Sequence, residues 1–159
     1  MHKDMRRKDR LLTDEESRVI LEKGEYGVLA TVTADNEPYG VPISYVLMND
    51  VIYIHCARDG EKIDNIAHNP AVSFTVVGLA EPVGGQPGLS TYYESCIVFG
   101  KAREVTDPTE KSGALMALTM KYLPEYKHLY DVEIKKVNAT AVFAIPLDRM
   151  TGKSKKKPE

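Results

Sequence analysis

The sequence predicts a mainly β fold with inserted helices, and three features support this prediction. Short runs rich in β-branched and aromatic residues recur along the chain, from YGVLATV at 26–32 to ATAVFAIPL at 139–147. Turn-forming residues separate the early runs closely enough for antiparallel pairing. Helical patterns interrupt the strands at only a few points. We expect about six strands in a small, partly closed barrel, an arrangement that leaves few sheet edges exposed.

The composition is that of an ordinary globular domain. The 159 residues fit a single domain, 1–159, that can bury a core without disulfides or metals. A formal net charge of -2 provides no global field for a polyanion. Cys56 and Cys96 each stand alone in an apolar run and are expected to be small core residues. Neither a signal-peptide core nor a membrane-spanning apolar run is apparent, so the expected location is cytoplasmic.

Three helices are predicted from the residues at their ends. The first begins at Thr13, which can cap the amide of Glu16 while Glu16 reaches back, and it ends at Gly24. The second lies in GEKIDNIAHNP, 60–70, and its Asn-Pro pair ends it. The third begins at Asp107, is followed by a proline at its first position, and continues towards the next proline.

The first predicted strands form a three-stranded antiparallel meander. They lie at 26–32, 39–47 and 51–57, and the two-residue turn Asn49-Asp50 joins the last two. This sheet is then interrupted by the second helix.

After that helix the sheet is expected to resume. A strand is predicted at 71–80, a Pro/Gly-rich loop at 81–90 and a long strand at 91–105. A final strand follows the third helix at 139–147. The lysine-rich tail, 148–159, is expected to be a solvated end, and the amino terminus forms a basic arm.

The strand at 51–57 leads into the most informative local pattern. Its alternation places Ile52, Ile54 and Cys56 on one face, and Val51, Tyr53, His55 and Ala57 on the other. Gly60 then opens the second helix, with Lys62 in its first turn. Unpaired amides, the helix dipole and the Lys62 ammonium can converge on a phosphate at this point. Plain helix capping explains the same stretch, so both interpretations stay open here.

Five fragments taken together resemble a known family. They are EYGVLATV...PYGVPISYV, IYIHCARDGEKIDNI, NPAVSFTVVG, TYYESCIVFGKA and TGK, in this order up to residue 153. The chain resembles the FMN-binding proteins related to pyridoxamine 5'-phosphate oxidase, in particular the branch containing the nitroimidazole-resistance proteins. The resemblance implies an FMN-binding split β-barrel that forms a homodimer, with FMN in a cleft between the two chains.

The resemblance also implies which residues bind the cofactor. The family pattern H-x-A-x-x-G-x-K falls on His55, Ala57, Gly60 and Lys62, so Lys62 and the amides near Gly60 would face the FMN phosphate. The residues implied along the flavin ring or ribityl chain are Thr31, Pro42, Ile43, Ser44 and Tyr45. Those implied to approach from the partner chain are Tyr93, Glu94 and Ser95. Relatives often carry a basic residue where this chain has Glu61, and Asp59 is acidic too, so weaker phosphate binding is expected.

Some of these residues have a purely structural alternative. His55 is either a flavin-side contact and proton donor, with its ordinary pKa of about 6.5, or a satisfied sheet histidine. Barrel packing explains Tyr93 equally well. Lys153 is expected to solubilise the tail, although it could also reach a phosphate. No metal site is expected, because His55, Cys56 and His68 lack the spacing of zinc ligands.

The function implied by the resemblance is FMN-dependent oxidation and reduction. A nicotinamide donor, NAD(P)H, would reduce the flavin, which would then reduce a small electron-poor acceptor such as a nitroaromatic. A non-catalytic FMN store or sensor is the main alternative. Pyridoxamine-phosphate oxidase, haem binding and nucleic-acid binding are less favoured, the last because the net charge is negative and no strand alternates lysines with aromatic residues. No membrane partner is expected.

Overall fold

The computed structural model describes residues 4–85, 88–130 and 139–157. The α-helices of this part are α1 (Asp14–Lys23), α2 (Glu61–His68) and α3 (Pro108–Tyr122). Short 3-10 helices occur at Lys8–Arg10 and Pro124–Leu129. None of the helices in the described ranges has the length and apolar character needed to cross a membrane.

The strands form two antiparallel sheets. Sheet A has the order β2-β1-β5-β6-β9, with β1 at Gly27–Val32, β2 at Pro38–Ile43, β5 at Ala71–Gly85, β6 at Gly88–Lys101 and β9 at Arg149–Lys155. Sheet B has the order β3-β4-β8-β7, with β3 at Tyr45–Met48, β4 at Val51–Cys56, β7 at Arg103–Glu104 and β8 at Ala141–Pro146. The predicted mainly β class is therefore confirmed. The described strands form two separate sheets that do not close into one continuous barrel.

The predicted helix ends are confirmed in detail. The Thr13 hydroxyl accepts a hydrogen bond from the Glu16 amide at 3.2 Å, and the Glu16 carboxylate accepts one from the Thr13 amide at 3.0 Å. Asp107 caps α3 by accepting a bond from the Glu110 amide at 2.7 Å. Helix α1 ends at Gly24, as predicted. These ends are determined by local hydrogen bonds and so are readable in the sequence.

The predicted strand at 39–47 is in fact two strands. It breaks at Ser44, where the chain leaves sheet A and enters sheet B. Ile43 pairs with Gly27 in sheet A, whereas Tyr45 pairs with Ile54 in sheet B. The predicted meander is therefore divided between the sheets: β2 forms an edge of sheet A, and β3 forms an edge of sheet B. The predicted strand at 91–105 divides in the same way, between β6 and β7.

The prediction of a loop at 81–90 is wrong. Strand β5 continues to Gly85 and β6 begins at Gly88, so the two form one long hairpin, while positions 86 and 87 lie outside the described residues. Pro82 is tolerated because β1 pairs with β5 only at 73–75, which leaves the later part of β5 at a sheet edge.

The prediction of a solvated lysine-rich tail is also wrong for residues 149–155. They form β9, which pairs with β6 along its whole length. Gly152 and Ser154 are buried, whereas Lys153 and Lys155 alternate with them on the other face. The lysines thus occupy the outward positions of a strand, a period-two pattern with little hydrophobic signal. Positions 158 and 159 of the predicted tail and 1–3 of the predicted basic arm lie outside the described residues.

Two apolar clusters form the core. The larger fills the space between the sheets and includes Leu29 and Phe74 of sheet A and Ile54 of sheet B, all fully buried. The smaller lies between the other face of sheet B and α3, and includes Tyr53 and Leu118. The predicted alternation on β4 is confirmed, because Ile54 and Tyr53 enter different clusters. Tyr53 packs against α3, whereas His55, farther along the same face, is exposed.

Candidate functional site

The turn from β4 to α2 leaves the amino end of a helix accessible. Ala57 and Gly60 are exposed, and Gly60 has φ 124°, a conformation that favours glycine. The Gly60 carbonyl accepts a bond from the Ile63 amide at 2.9 Å. No side chain from the described residues caps α2, whereas side chains cap both α1 and α3. The first-turn amides of α2 can therefore donate to a ligand, particularly an anion.

Lys62 lies in this first turn, and its charge affects the pKa of Cys56 at the end of β4. Its side chain is partly buried. Burial raises the pKa of the Cys56 thiol, and the positive charge of Lys62 opposes that rise. The ammonium therefore interacts electrostatically with the end of the strand. Asp59 and Glu61 are both exposed beside it, as the acidic sequence at this turn suggested.

His55 is exposed near the end of β4, where its backbone pairs with Val142 of β8. Partial burial lowers the pKa of His55 below its ordinary value. Burial therefore favours the neutral imidazole, and the sequence-based assumption of an unperturbed pKa needs correction. A neutral imidazole can donate one hydrogen bond and accept another, but it holds no readily released proton.

The corner between β2 and β3 lies next to His55. Because Tyr45 pairs with Ile54, Ser44 comes beside His55 at the open end of the β3–β4 pair. Pro42 and Ser44 are exposed, and Ile43 packs partly against the core. The Tyr45 side chain is fully buried, and its hydroxyl donates to the Leu21 carbonyl at 2.5 Å. Of these predicted contacts, Tyr45 could therefore face a ligand only through its backbone.

Thr31 is buried and connects the sheet to α2. It is 2% exposed, and its hydroxyl accepts a hydrogen bond from the Asn65 amide nitrogen at 3.1 Å. Asn65 is itself 4% exposed and was not identified from the sequence. Its position between Ile63 and Ile66, on the inward side of a short helix, is the signal that could have indicated it. This buried pair fixes α2 relative to β1.

The structure does not bring the three predicted partner-chain residues to the β4–α2 turn within one chain. Tyr93, Glu94 and Ser95 lie on β6, between β5 and β9 in sheet A. Tyr93 and Ser95 share one face, and Glu94 is on the other. Arg10 donates to the Tyr93 hydroxyl at 2.9 Å, and this bond lowers the pKa of Tyr93.

The cysteines behave as core residues, as predicted. Cys96 is fully buried, Cys56 is partly buried, and both are free thiols. Burial raises the pKa of Cys96 to about 12. Within the described ranges, His, Cys, Asp and Glu side chains form no group of three that could hold a metal ion.

Comparison with protein families identifies the chain. A family described as pyridoxamine 5'-phosphate oxidase matches residues 13–154. The chain belongs to the pyridoxamine 5'-phosphate oxidase family. The matched range includes every predicted cofactor-binding residue, from Thr31 to Ser95, and the resemblance inferred from the sequence is confirmed. No curated protein matches the chain in sequence.

Solved structures share the fold of this family member. A candidate 5-nitroimidazole antibiotic resistance protein from Bacteroides thetaiotaomicron is 23% identical, with a TM-score of 0.78 over 91% of this chain and 86% of that one. The flavocytochrome Anf3 from Azotobacter vinelandii is 19% identical, with a TM-score of 0.83 over 98% and 73% of the two chains. An FAD- and haem-binding protein from Mycobacterium smegmatis is 23% identical, with a TM-score of 0.76 over 92% and 74%. At these identities the similarity shows a shared fold.

Proposed function

We propose that this pyridoxamine 5'-phosphate oxidase family member binds FMN and is an oxidoreductase that reduces small electron-poor acceptors, such as nitroaromatics, with NAD(P)H as donor. The observation that carries the proposal is the uncapped amino end of α2, with Gly60 at the turn and Lys62 in the first helical turn. An FMN phosphate needs hydrogen-bond donors and positive charge, and this end of the helix offers both. The residues present therefore fit the phosphate end of the cofactor.

The remaining predicted contacts fit the rest of the cofactor. Pro42 and Ser44 form an exposed corner beside His55, which offers a surface for the ring or ribityl chain. The neutral His55 imidazole donates a hydrogen bond to an acceptor on the ligand. Bound FMN would supply two-electron hydride chemistry, and the protein's part is to bind and orient it and to control access of water.

A homodimer is the second part of the proposal. The outer face of sheet A exposes apolar side chains, including Val28 at 39% and Val77 at 60%. Tyr93 and Ser95 lie on the same face, so a second copy packed there would bring them towards its neighbour's site. Sedimentation should show a dimer that holds FMN. A stable monomer that still binds FMN would rule out this arrangement.

Absorbance of the purified protein tests the cofactor directly. The similar structures include a flavocytochrome and an FAD- and haem-binding protein, so a visible spectrum must distinguish flavin from haem. We expect a flavin spectrum without the intense band of haem. Release of the cofactor by heat, followed by chromatography, should identify it as FMN and not FAD.

The Lys62→Ala variant tests the proposed phosphate site. A charge-assisted hydrogen bond contributes about 1.5 to 3 kcal/mol, so FMN affinity should fall roughly 10- to 150-fold. Riboflavin lacks the phosphate, and its affinity should change much less. Lys101→Ala, which removes an exposed lysine of β6, is the matched control and should leave both affinities unchanged. Equal losses of FMN and riboflavin affinity in Lys62→Ala would show that Lys62 does not bind the phosphate.

Turnover separates an enzyme from a flavin store. Steady-state oxidation of NAD(P)H should accelerate when a nitroaromatic acceptor is added to the FMN-loaded protein. A protein that binds FMN tightly but gives the same rate with and without acceptor would instead be a non-catalytic FMN-binding protein.

A further inference from the structure

The corner at Ser44 is supported by a residue far away in the sequence. Strand β3 is at the edge of sheet B, so none of the described strands pairs with the outward backbone groups of Tyr45. The Tyr122 hydroxyl, at the end of α3, occupies this edge. It accepts a hydrogen bond from the Tyr45 amide at 3.0 Å and lies 2.9 Å from the Tyr45 carbonyl.

The same hydroxyl also reaches the segment before β1. It donates to the Glu25 carbonyl at 2.6 Å. A phenol carries one proton and two acceptor sites, so it can accept from the Tyr45 amide while its proton is shared between the two carbonyls. One side-chain oxygen therefore joins three parts of the fold: α3, the start of β3, and the connection between α1 and β1.

The position of this hydroxyl is determined by packing. Helix α3 is fixed through Ala114 and Leu118, which are buried against sheet B, and the Tyr122 side chain packs partly against the same cluster. The Tyr45 ring, in turn, is anchored in the main core by an edge-to-face contact with Phe74, at 4.9 Å between centroids. The two ends of the Tyr45–Tyr122 contact are thus both held by buried side chains.

We propose that Tyr122 is a positioning residue for the flavin site, which it serves by fixing the Ser44–Tyr45 corner beside His55. This inference rests on the proposed binding of FMN. Without the hydroxyl, the Tyr45 amide and carbonyl lose their partner at a sheet edge, and the corner is free to shift. Because the corner faces the ring or ribityl chain, the loss should affect FMN and riboflavin alike.

Two variants that each remove one tyrosine hydroxyl test this role. Tyr122→Phe removes the bonds at the corner, whereas Tyr53→Phe removes the 2.8 Å bond from β4 to the Glu110 carboxylate of α3 and leaves the corner bonds in place. Tyr122→Phe should weaken FMN and riboflavin equally, by about 5- to 10-fold. Tyr53→Phe should lower the unfolding midpoint but leave both affinities within about twofold.

The outcomes discriminate between the proposals. Equal effects of the two variants on flavin affinity, or a loss in Tyr122→Phe confined to FMN, would overturn the positioning role. Failure of the wild-type protein to bind any flavin would instead overturn the proposed function, and this inference with it. Amide hydrogen exchange gives a measurement that needs no variant: the Tyr45 amide should be protected, and more so with FMN bound. Rapid exchange of that amide in both states would also overturn the inference.

Discussion

Replacement of Lys121 by methionine should stabilise the protein. Among the described residues, nothing accepts a hydrogen bond from the buried Lys121 ammonium. It lies 3.8 Å from the Tyr45 ring centroid and 5.2 Å from that of Tyr122. Burial lowers the pKa of Lys121 from 10.5 to about 8. The buried charge therefore destabilises the folded state. A methionine of similar length would remove this cost.

The size of the effect follows from the pKa. A pKa lowered from 10.5 to about 8 corresponds to no more than about 3 to 4 kcal/mol at neutral pH. The side chain keeps partial contact with solvent, and the cation–π contact with Tyr45 favours the ammonium, so both reduce this figure. We expect Lys121→Met to raise the free energy of unfolding by about 1 to 2 kcal/mol at pH 7.

The sign of the pH dependence provides a sharper test. Below pH 8, Lys121 is protonated in the folded and unfolded states, and the full penalty applies. Between about pH 8 and 10.5 the folded state releases its proton while the unfolded state retains it, so wild-type stability rises relative to the variant. The advantage of Lys121→Met should accordingly be largest at pH 7 and shrink towards pH 10.

Urea unfolding at pH 7, 8.5 and 10 would measure this difference. Lys127→Met, which replaces an exposed lysine of the following 3-10 helix, is the control and should show no such pH-dependent difference. A Lys121→Met variant that is less stable than wild type at pH 7, or whose advantage is independent of pH, would refute the reasoning. Lower stability at pH 7 would mean that the cation–π contact stabilises the folded state by more than burial of the charge destabilises it.

Two further predictions concern local packing and capping. Gly27→Ala should destabilise the protein by about 3 kcal/mol, because an added Cβ would collide with the buried Phe74 ring. Gly40→Ala, whose Cβ would meet only Val28 at 3.6 Å, should change the unfolding midpoint little by comparison. Thr13→Ala should cost about 1 kcal/mol through loss of the helix cap, and Thr13→Ser should restore it. Thermal unfolding measures all four variants, and a Thr13→Ala protein as stable as wild type would contradict the capping prediction.

The sequence alone determined the features that depend on neighbouring residues. Thr13 and Asp107 cap helices through amides three residues away, so their motifs specify the helix starts. The alternation of Ile54 with Tyr53 assigned the two faces of β4 correctly, since strand geometry has a period of two. Ordered motifs over most of the chain were also enough to identify the family. The sequence also placed His55, Gly60 and Lys62 near one turn, because they are close together in the chain.

Tertiary structure alone decided which partners these segments meet. The break at Ser44 exists because the two halves of one apolar run pair with different sheets. The lysine-rich tail forms β9 because its backbone pairs with the edge of β6. Backbone pairing does not require apolar side chains, so the hydrophobic pattern of the sequence does not reveal it. Tyr122 and Tyr45 are 77 positions apart, and no local pattern links them. Such contacts form only when the whole chain has folded, because the shared core between the sheets brings together residues that are distant in sequence.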